Sequence, residues 1–372
     1  MKIVDVEPVV LRLDQIDTTR ADGTQDAFLV RVHTDEGITG IGEADTSPYV
    51  ARTIVEMPSS HAVARGLGEL LAGENPLDIA RLWRLMFRGS SYYGRSAAAL
   101  HTMSAIDMAL WDIAGKARGC PVSQLLGGAR VAELPVYASR VMPESADAVR
   151  RMGEAAAGAG YTAFKLGWGP LGRDLREDER LIMAARDAIG EARTLMIDGG
   201  QAYNVKGAAA LLRRVADAEL YWLEEPLAPD DYQGYRRLSD MADVRIAAGE
   251  AESRIGPFRT LVEQGHVDIL QPDLARCGGF TVAQEIAALA RDTGVEVVPH
   301  CFSSAVLVAA SLHFASTLDR PTFSEYSAED SPLVRHLLTE PFVLQDGNLR
   351  VPTGPGLGIE LDERVVDRLR VR

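Results

Sequence analysis

Six residues that can bind a proton or a cation recur at near-equal intervals along the middle of the chain: Asp198, Glu224, Glu250, Asp273, His300 and Glu325. The gaps are 26, 26, 23, 27 and 25 residues, and each residue closes a short apolar segment such as Thr194–Asp198 or Glu296–His300. Two carboxylates about 4 Å apart repel by roughly 4 kcal/mol at an effective dielectric near 20. Brought to one place, Asp198, Glu224 and Glu250 would protonate, move apart or share a cation. An all-oxygen set with open positions suits Mg²⁺. Taken singly, each acid could cap a helix or pair with an arginine; three in register favour the shared ion. Glu225, next to Glu224, is expected to point elsewhere and to support the site. A carboxylate behind an imidazole fixes its tautomer and raises its basicity, so Asp273 and His300 together read as a general base. Lys165 and Glu325 could form an ion pair or contact a polar substrate.

Elements of a particular kind must position these residues. A repeat of about 25 residues holds one strand, one helix and two short loops. Apolar runs of four to six residues suit strands buried on both faces. Leu134–Ser139 and Thr162–Gly167 supply the first two strands, and the six segments ending in the residues above supply the rest. Helices are expected over Ser145–Ala159, Arg176–Ile189, Val205–Ala218, Asp231–Met241, Ile255–Gln264, Thr281–Asp292 and Ser304–Ser316. Eight parallel strands can close a barrel whose carboxyl ends share one mouth. Ahead of them, Ile3–Leu13, Ala27–Thr34 and Ile38–Glu43 read as strands and Asp14–Asp26 as a loop. A helical block then runs from Val50 to about Ala117, with Met103, Ile106, Leu110 and Ile113 on one face. Residues 1–128 form an N-terminal domain and 129–340 the barrel, and the Gly- and Pro-rich tail 341–372 is expected to return to the first domain.

The net charge of −14 argues against a nucleic-acid partner. Three cysteines, Cys120, Cys277 and Cys301, form neither a disulfide framework nor a metal site and point to a reducing compartment. No signal peptide or run of about 18–20 apolar residues is present, so a cytoplasmic protein without a membrane partner is expected.

The motifs Ser104-Ala-Ile-Asp-Met-Ala-Leu-Trp-Asp-Ile-Ala-Gly-Lys116, Leu125-Leu-Gly-Gly128, Leu223-Glu-Glu-Pro226, Gly249-Glu250 and Pro272-Asp273 occur in that order. The chain thereby resembles the enolase superfamily, mandelate racemase subgroup, over nearly its whole length. The resemblance implies a modified TIM barrel, (β/α)7β, with an α+β capping domain made from the N-terminal part and the C-terminal tail. It implies Asp198, Glu224 and Glu250 as Mg²⁺ ligands, an Asp273–His300 dyad, Glu325 as hydrogen-bond donor to a substrate carboxylate, and a homo-oligomer. An aspartate rather than a lysine at the sixth strand sets the chain on the racemase side of the superfamily. At the second strand the family's Lys-x-Lys becomes Lys165-Leu-Gly167, so the second base is missing. Gly200 stands where relatives often carry asparagine, which widens the site. Loss of one base fits removal of the proton α to a carboxylate followed by β-elimination of water, as in acid-sugar dehydratases. The alternatives are a racemase or epimerase of a 2-hydroxy or amino acid derivative, with Lys165 as the other base, and a catalytically impaired metal-binding barrel. Substrate identity is expected to lie in Asp14–Asp26, Thr46–Tyr49 and Trp168–Arg173, with Arg20, Tyr49 and Arg173 as contacts.

Overall fold

The computed structural model describes residues 1–371. Eight strands follow one another from Glu133 to Ser327: β4 (Glu133–Val141), β5 (Ala163–Gly167), β6 (Thr194–Asp198), β7 (Leu220–Glu224), β8 (Arg245–Ala248), β9 (Ile269–Leu270), β10 (Glu296–Val297) and β11 (Ser324–Ser327). All neighbouring pairs are parallel, in the order β10-β9-β8-β7-β6-β5-β4-β11. Seven helices alternate with them, giving the (β/α)7β form of the modified TIM barrel. Five of the seven start on a side-chain cap, from Ser145, Asp174, Asn204, Asp231 or Ser304, so the turn after each of those strands is set by local chemistry. Tyr137, Ala163, Met196, Trp222, Ala247, Ile269 and Val298 fill the barrel interior. The functional side chains stand above that layer.

Strands β9 and β10 are shorter than the apolar segments that contain them. Pro272 and Pro299 lack the N–H a ladder needs, and only a single bridge, Asp273 to His300, continues the pairing beyond them. Side chains bridge the seam between β10 and β11. The Cys301 N–H donates to Glu325 Oε2 at 2.7 Å and Thr322 Oγ1 to Glu296 Oε1 at 2.6 Å.

The cap begins with an antiparallel sheet of β1 (Ile3–Arg12), β2 (Asp26–Thr34) and β3 (Thr39–Ala44). The expected helical block is four helices, Pro48–Glu56, Leu67–Leu71, Ile79–Gly89 and Ala98–Arg118. The tail does more than return to the cap. Strand β12 (Asn348–Arg350) first pairs antiparallel with β4, and only then does the helix Glu363–Leu369 lead Val371 to a backbone bond with Val10. No helix among the described residues is long and apolar enough to cross a membrane.

One buried cap residue ties the two parts together. Glu43, at the end of β3, accepts four hydrogen bonds from the chain just beyond His300. They come from Ser303 Oγ (2.6 Å), Ser304 N (3.0 Å), Ser304 Oγ (2.6 Å) and Leu307 N (2.8 Å). Burial nevertheless outweighs these donors and pushes the carboxyl up to about 7. Glu43→Ala strands four buried donors, so it is expected to destabilise the protein by about 3 kcal/mol or more in denaturant titration.

Candidate active site

At the mouth of the barrel, single oxygen atoms of Asp198, Glu224 and Glu250 lie within 4.8 Å of one another, and all three residues are buried. Glu224 is held from beneath. Trp222 Nε1 donates to its Oε2 at 2.9 Å and Gln271 Nε2 at 2.7 Å, while Lys165 Nζ sits 2.5 Å from Oε1. Asp198 Oδ1 accepts the Gly200 N–H at 2.8 Å. Burial, followed by the neighbouring Glu224 charge, pushes the Asp198 carboxyl well above its ordinary range. Three buried acids with hard oxygen donors, gathered beside Lys165 and Arg276, are a donor set that fits a hard divalent cation. Glu225 turns away from them. Its φ is 31°, and its carboxylate accepts Gln201 Nε2 at 3.0 Å and the Gly249 N–H at 3.3 Å.

His300 Nδ1 lies 2.7 Å from Asp273 Oδ2, and Asp273 Oδ1 accepts the Ala275 N–H at 2.7 Å. The carboxylate is an acceptor, so Nδ1 carries the proton and Nε2 is the free position of the neutral ring. That nitrogen faces the acids, 3.2 Å from Glu250 Oε2. Burial alone would depress the imidazole. Glu250, Glu325 and the Asp273 hydrogen bond outweigh it and push the ring up to about 10. A cation on Glu250 would draw that value down toward the range a base needs.

Lys165 bridges two acids, with Nζ 2.9 Å from Glu325 Oε1 as well as beside Glu224. Burial opposes its charge, but Glu224 and Glu325 override burial and hold the ammonium well above its usual range. It is therefore a fixed cation and a poor candidate for a base. Glu325 is the acid at the other end of that bridge. Burial would raise it, yet Lys165 and His300 hold it down to about 2, so it stands as a carboxylate that accepts the Cys301 N–H.

Lys165, Asp198, Glu250, His300 and Glu325 all line one cavity of about 300 Å³, with Trp168 and Phe302 among its walls. Ala21, Asp22 and Gly23 of the Asp14–Asp26 loop roof it. The three expected loop contacts are not part of that lining. Arg20 pairs with Glu329 at 3.3 Å, Arg173 with Glu144 at 3.1 Å, and Tyr49 is exposed. Arginines beside a free carboxylate satisfy themselves on it, which sequence spacing does not reveal.

Two residues of the site escaped the sequence reading. Arg276 Nη2 binds Asp45 Oδ2 at 2.7 Å, its Nη1 lies 3.3 Å from Glu250 Oε1, and its Nε is 3.9 Å from Asp273 Oδ2. Its place three residues after Asp273 was a readable signal. Asp45 is 231 residues away from Arg276 on the cap, and nothing local marks it.

These features define a class. Residues 5–127 match the mandelate racemase / muconate lactonizing enzyme N-terminal domain, and residues 147–365 match the enolase C-terminal domain-like family. The chain belongs to the mandelate racemase / muconate lactonizing enzyme family of the enolase superfamily. It is 32% identical to a D-galactarolactone cycloisomerase of Agrobacterium fabrum, over 92% of this chain and 91% of that one. It is 33% identical to an L-rhamnonate dehydratase of Saccharopolyspora erythraea, over 91% of this chain and 84% of that one. The structure of a racemase from Streptomyces coelicolor A3(2) with bound magnesium superposes with a TM-score of 0.87 at 27% identity, covering 99% of this chain and 100% of that one.

Proposed function

We propose that this protein removes the proton α to the carboxylate of an acid sugar and eliminates water from the β carbon, as a Mg²⁺-dependent hydro-lyase. One observation carries the reading. The imidazole of His300, backed by Asp273, holds Nε2 3.2 Å from Glu250 of the acid triad, while the second strand offers Gly167 and a Lys165 already bridging Glu224 and Glu325. Asp198, Glu224 and Glu250 would hold Mg²⁺, which when bound supplies positive charge to the oxygens of the substrate carboxylate. Lys165 adds a fixed charge at the same place. His300 Nε2 takes the α proton, and the electron pair moves into the carboxylate as an enediolate. The pair returns to expel the β hydroxyl, which takes the proton of the imidazolium and leaves as water; the enol that remains tautomerises to the 2-keto-3-deoxy acid. The dehydratase among the relatives supports this reading. A racemase or epimerase would need Lys165 to give up a proton that Glu224 and Glu325 hold in place.

A screen of aldonates and aldarates with semicarbazide detection tests it. A keto acid from at least one of them is expected; α-proton exchange in D₂O without a keto acid would replace dehydration by isomerisation. In this reading residues 1–128 form the cap over barrel 129–340, and the tail 341–372 passes β4 before returning to the cap. Three unpaired cysteines support a reducing cytoplasm, and the resemblance to the family supports a homo-oligomer.

Asp45 enters as a positioning residue. Without its charge, Arg276 would close on Glu250 and compete for the oxygen offered to the cation. Asp45→Asn is expected to weaken Mg²⁺ binding about tenfold in calorimetry, within the range of such supporting residues.

A further inference from the structure

Of the two glycines that depart from the family pattern, Gly167 packs against Asp198 and Gly200 against the Trp168 ring. A Cβ on Gly167 would fall 2.3 Å from Asp198 Cβ and 2.8 Å from its carbonyl oxygen, so no side chain of any kind fits there. The next residue, Trp168, has a φ of 59°, and its backbone N–H reaches the Asp198 carbonyl at 3.3 Å. A bulky residue in the left-handed region is strained, and such strain is kept where the surroundings enforce it, often at functional sites. Gly200 lies directly beneath the ring. A Cβ there would meet Trp168 Cδ2 at 3.0 Å and Cγ at 3.2 Å. Gly200 follows β6, four strands from β10 in an eight-strand barrel, so it stands across the mouth from His300. Both Trp168 and His300 line the cavity.

We propose that Trp168 is the wall of the substrate pocket facing His300 and that its indole packs against the C–H face of an acid sugar. It occupies the side from which a second base would act, so the acid sugar is held with its α proton toward His300 alone. Gly167 lets Asp198 approach, and Gly200 lets the ring lie flat over the loop that carries Asp198. An aromatic face suits the apolar side of a polyol, while Lys165 and the clustered acids serve its carboxylate end. The proposal rests on His300 as the base, and its test reads binding rather than turnover so that the two can fail separately.

The measurement is calorimetric affinity for a panel of six-carbon aldonates and for glycolate, in the presence of Mg²⁺. Trp168→Ala is expected to weaken the best aldonate about tenfold, the scale of one lost aromatic contact. Trp168→Phe should stay within about threefold, because a flat ring remains. Glycolate reaches the carboxylate end but not the wall, so its affinity should be the same in all three proteins. An equal loss for glycolate and aldonate would make Trp168 merely structural and overturn the proposal. Unchanged aldonate affinity in Trp168→Ala would do the same, as would wild-type protein that binds no aldonate more tightly than glycolate. Failure of the base assignment shows elsewhere, as full turnover by His300→Asn.

Discussion

Replacing His300 by asparagine is expected to lower turnover of the acid sugar about a thousandfold, within the span typical of a positioned general base. Asparagine can keep a hydrogen bond to Asp273 while losing the nitrogen that faces the acids. The cavity is not emptied, and Glu43 still anchors the segment beyond residue 300 through Ser303, Ser304 and Leu307. Folding and Mg²⁺ binding should therefore survive, which Mg²⁺-dependent thermal stabilisation of the variant can verify. Asp273→Asn keeps the imidazole but loses the charge behind it, so its rate should fall between wild type and His300→Asn. The same His300 variant should cease to exchange the substrate α proton with D₂O. Retained exchange, or turnover near that of wild type, would give the proton transfer to another group.

The residues at the strand ends were legible in the sequence because a barrel repeats. Asp198, Glu224, Glu250, Asp273, His300 and Glu325 follow apolar runs at one period, and a period of strand plus helix brings every such end to the same mouth. What escaped has a different geometry. Asp45 and Glu43 reach the site from a separate domain, more than 200 residues from their partners, where no pattern links the two ends. The pairing of β12 with β4 is likewise a contact between distant segments, in a tail whose glycines and prolines show only that it is irregular. Gly167 was visible as a missing lysine. That the closeness of Asp198 forbids any side chain there, and that Trp168 turns over Gly200, depends on distances a sequence does not contain. The protonation of Lys165 and the ionised state of Glu325 follow from the same limit, since each is fixed by the other across the barrel.

Asp198→Asn should separate the cost of gathering three acids from the gain of binding an ion. The Asp198 carboxyl is raised by burial and by Glu224, so its contribution to stability is present below the ordinary aspartate value and is lost as pH rises through the folded one. With chelator present, the variant is thus expected to melt above wild type, by about 2 °C near neutrality, and the difference should widen from pH 5 to pH 8. Added Mg²⁺ should reverse the order. At a hundredfold excess over its Kd an ion adds about 2.7 kcal/mol to the protein that binds it, and with one of three carboxylates replaced by an amide that gain is largely lost. Binding displaces protons from the acids, so stabilisation of wild type by Mg²⁺ should itself grow with pH while that of the variant stays nearly flat. Activity should vanish from wild type under chelation and return with Mg²⁺, and should not return to the variant. Differential scanning fluorimetry over this pH range, with and without Mg²⁺, reads all of these signs. A variant that keeps the full Mg²⁺ shift would remove Asp198 from the ion's ligands.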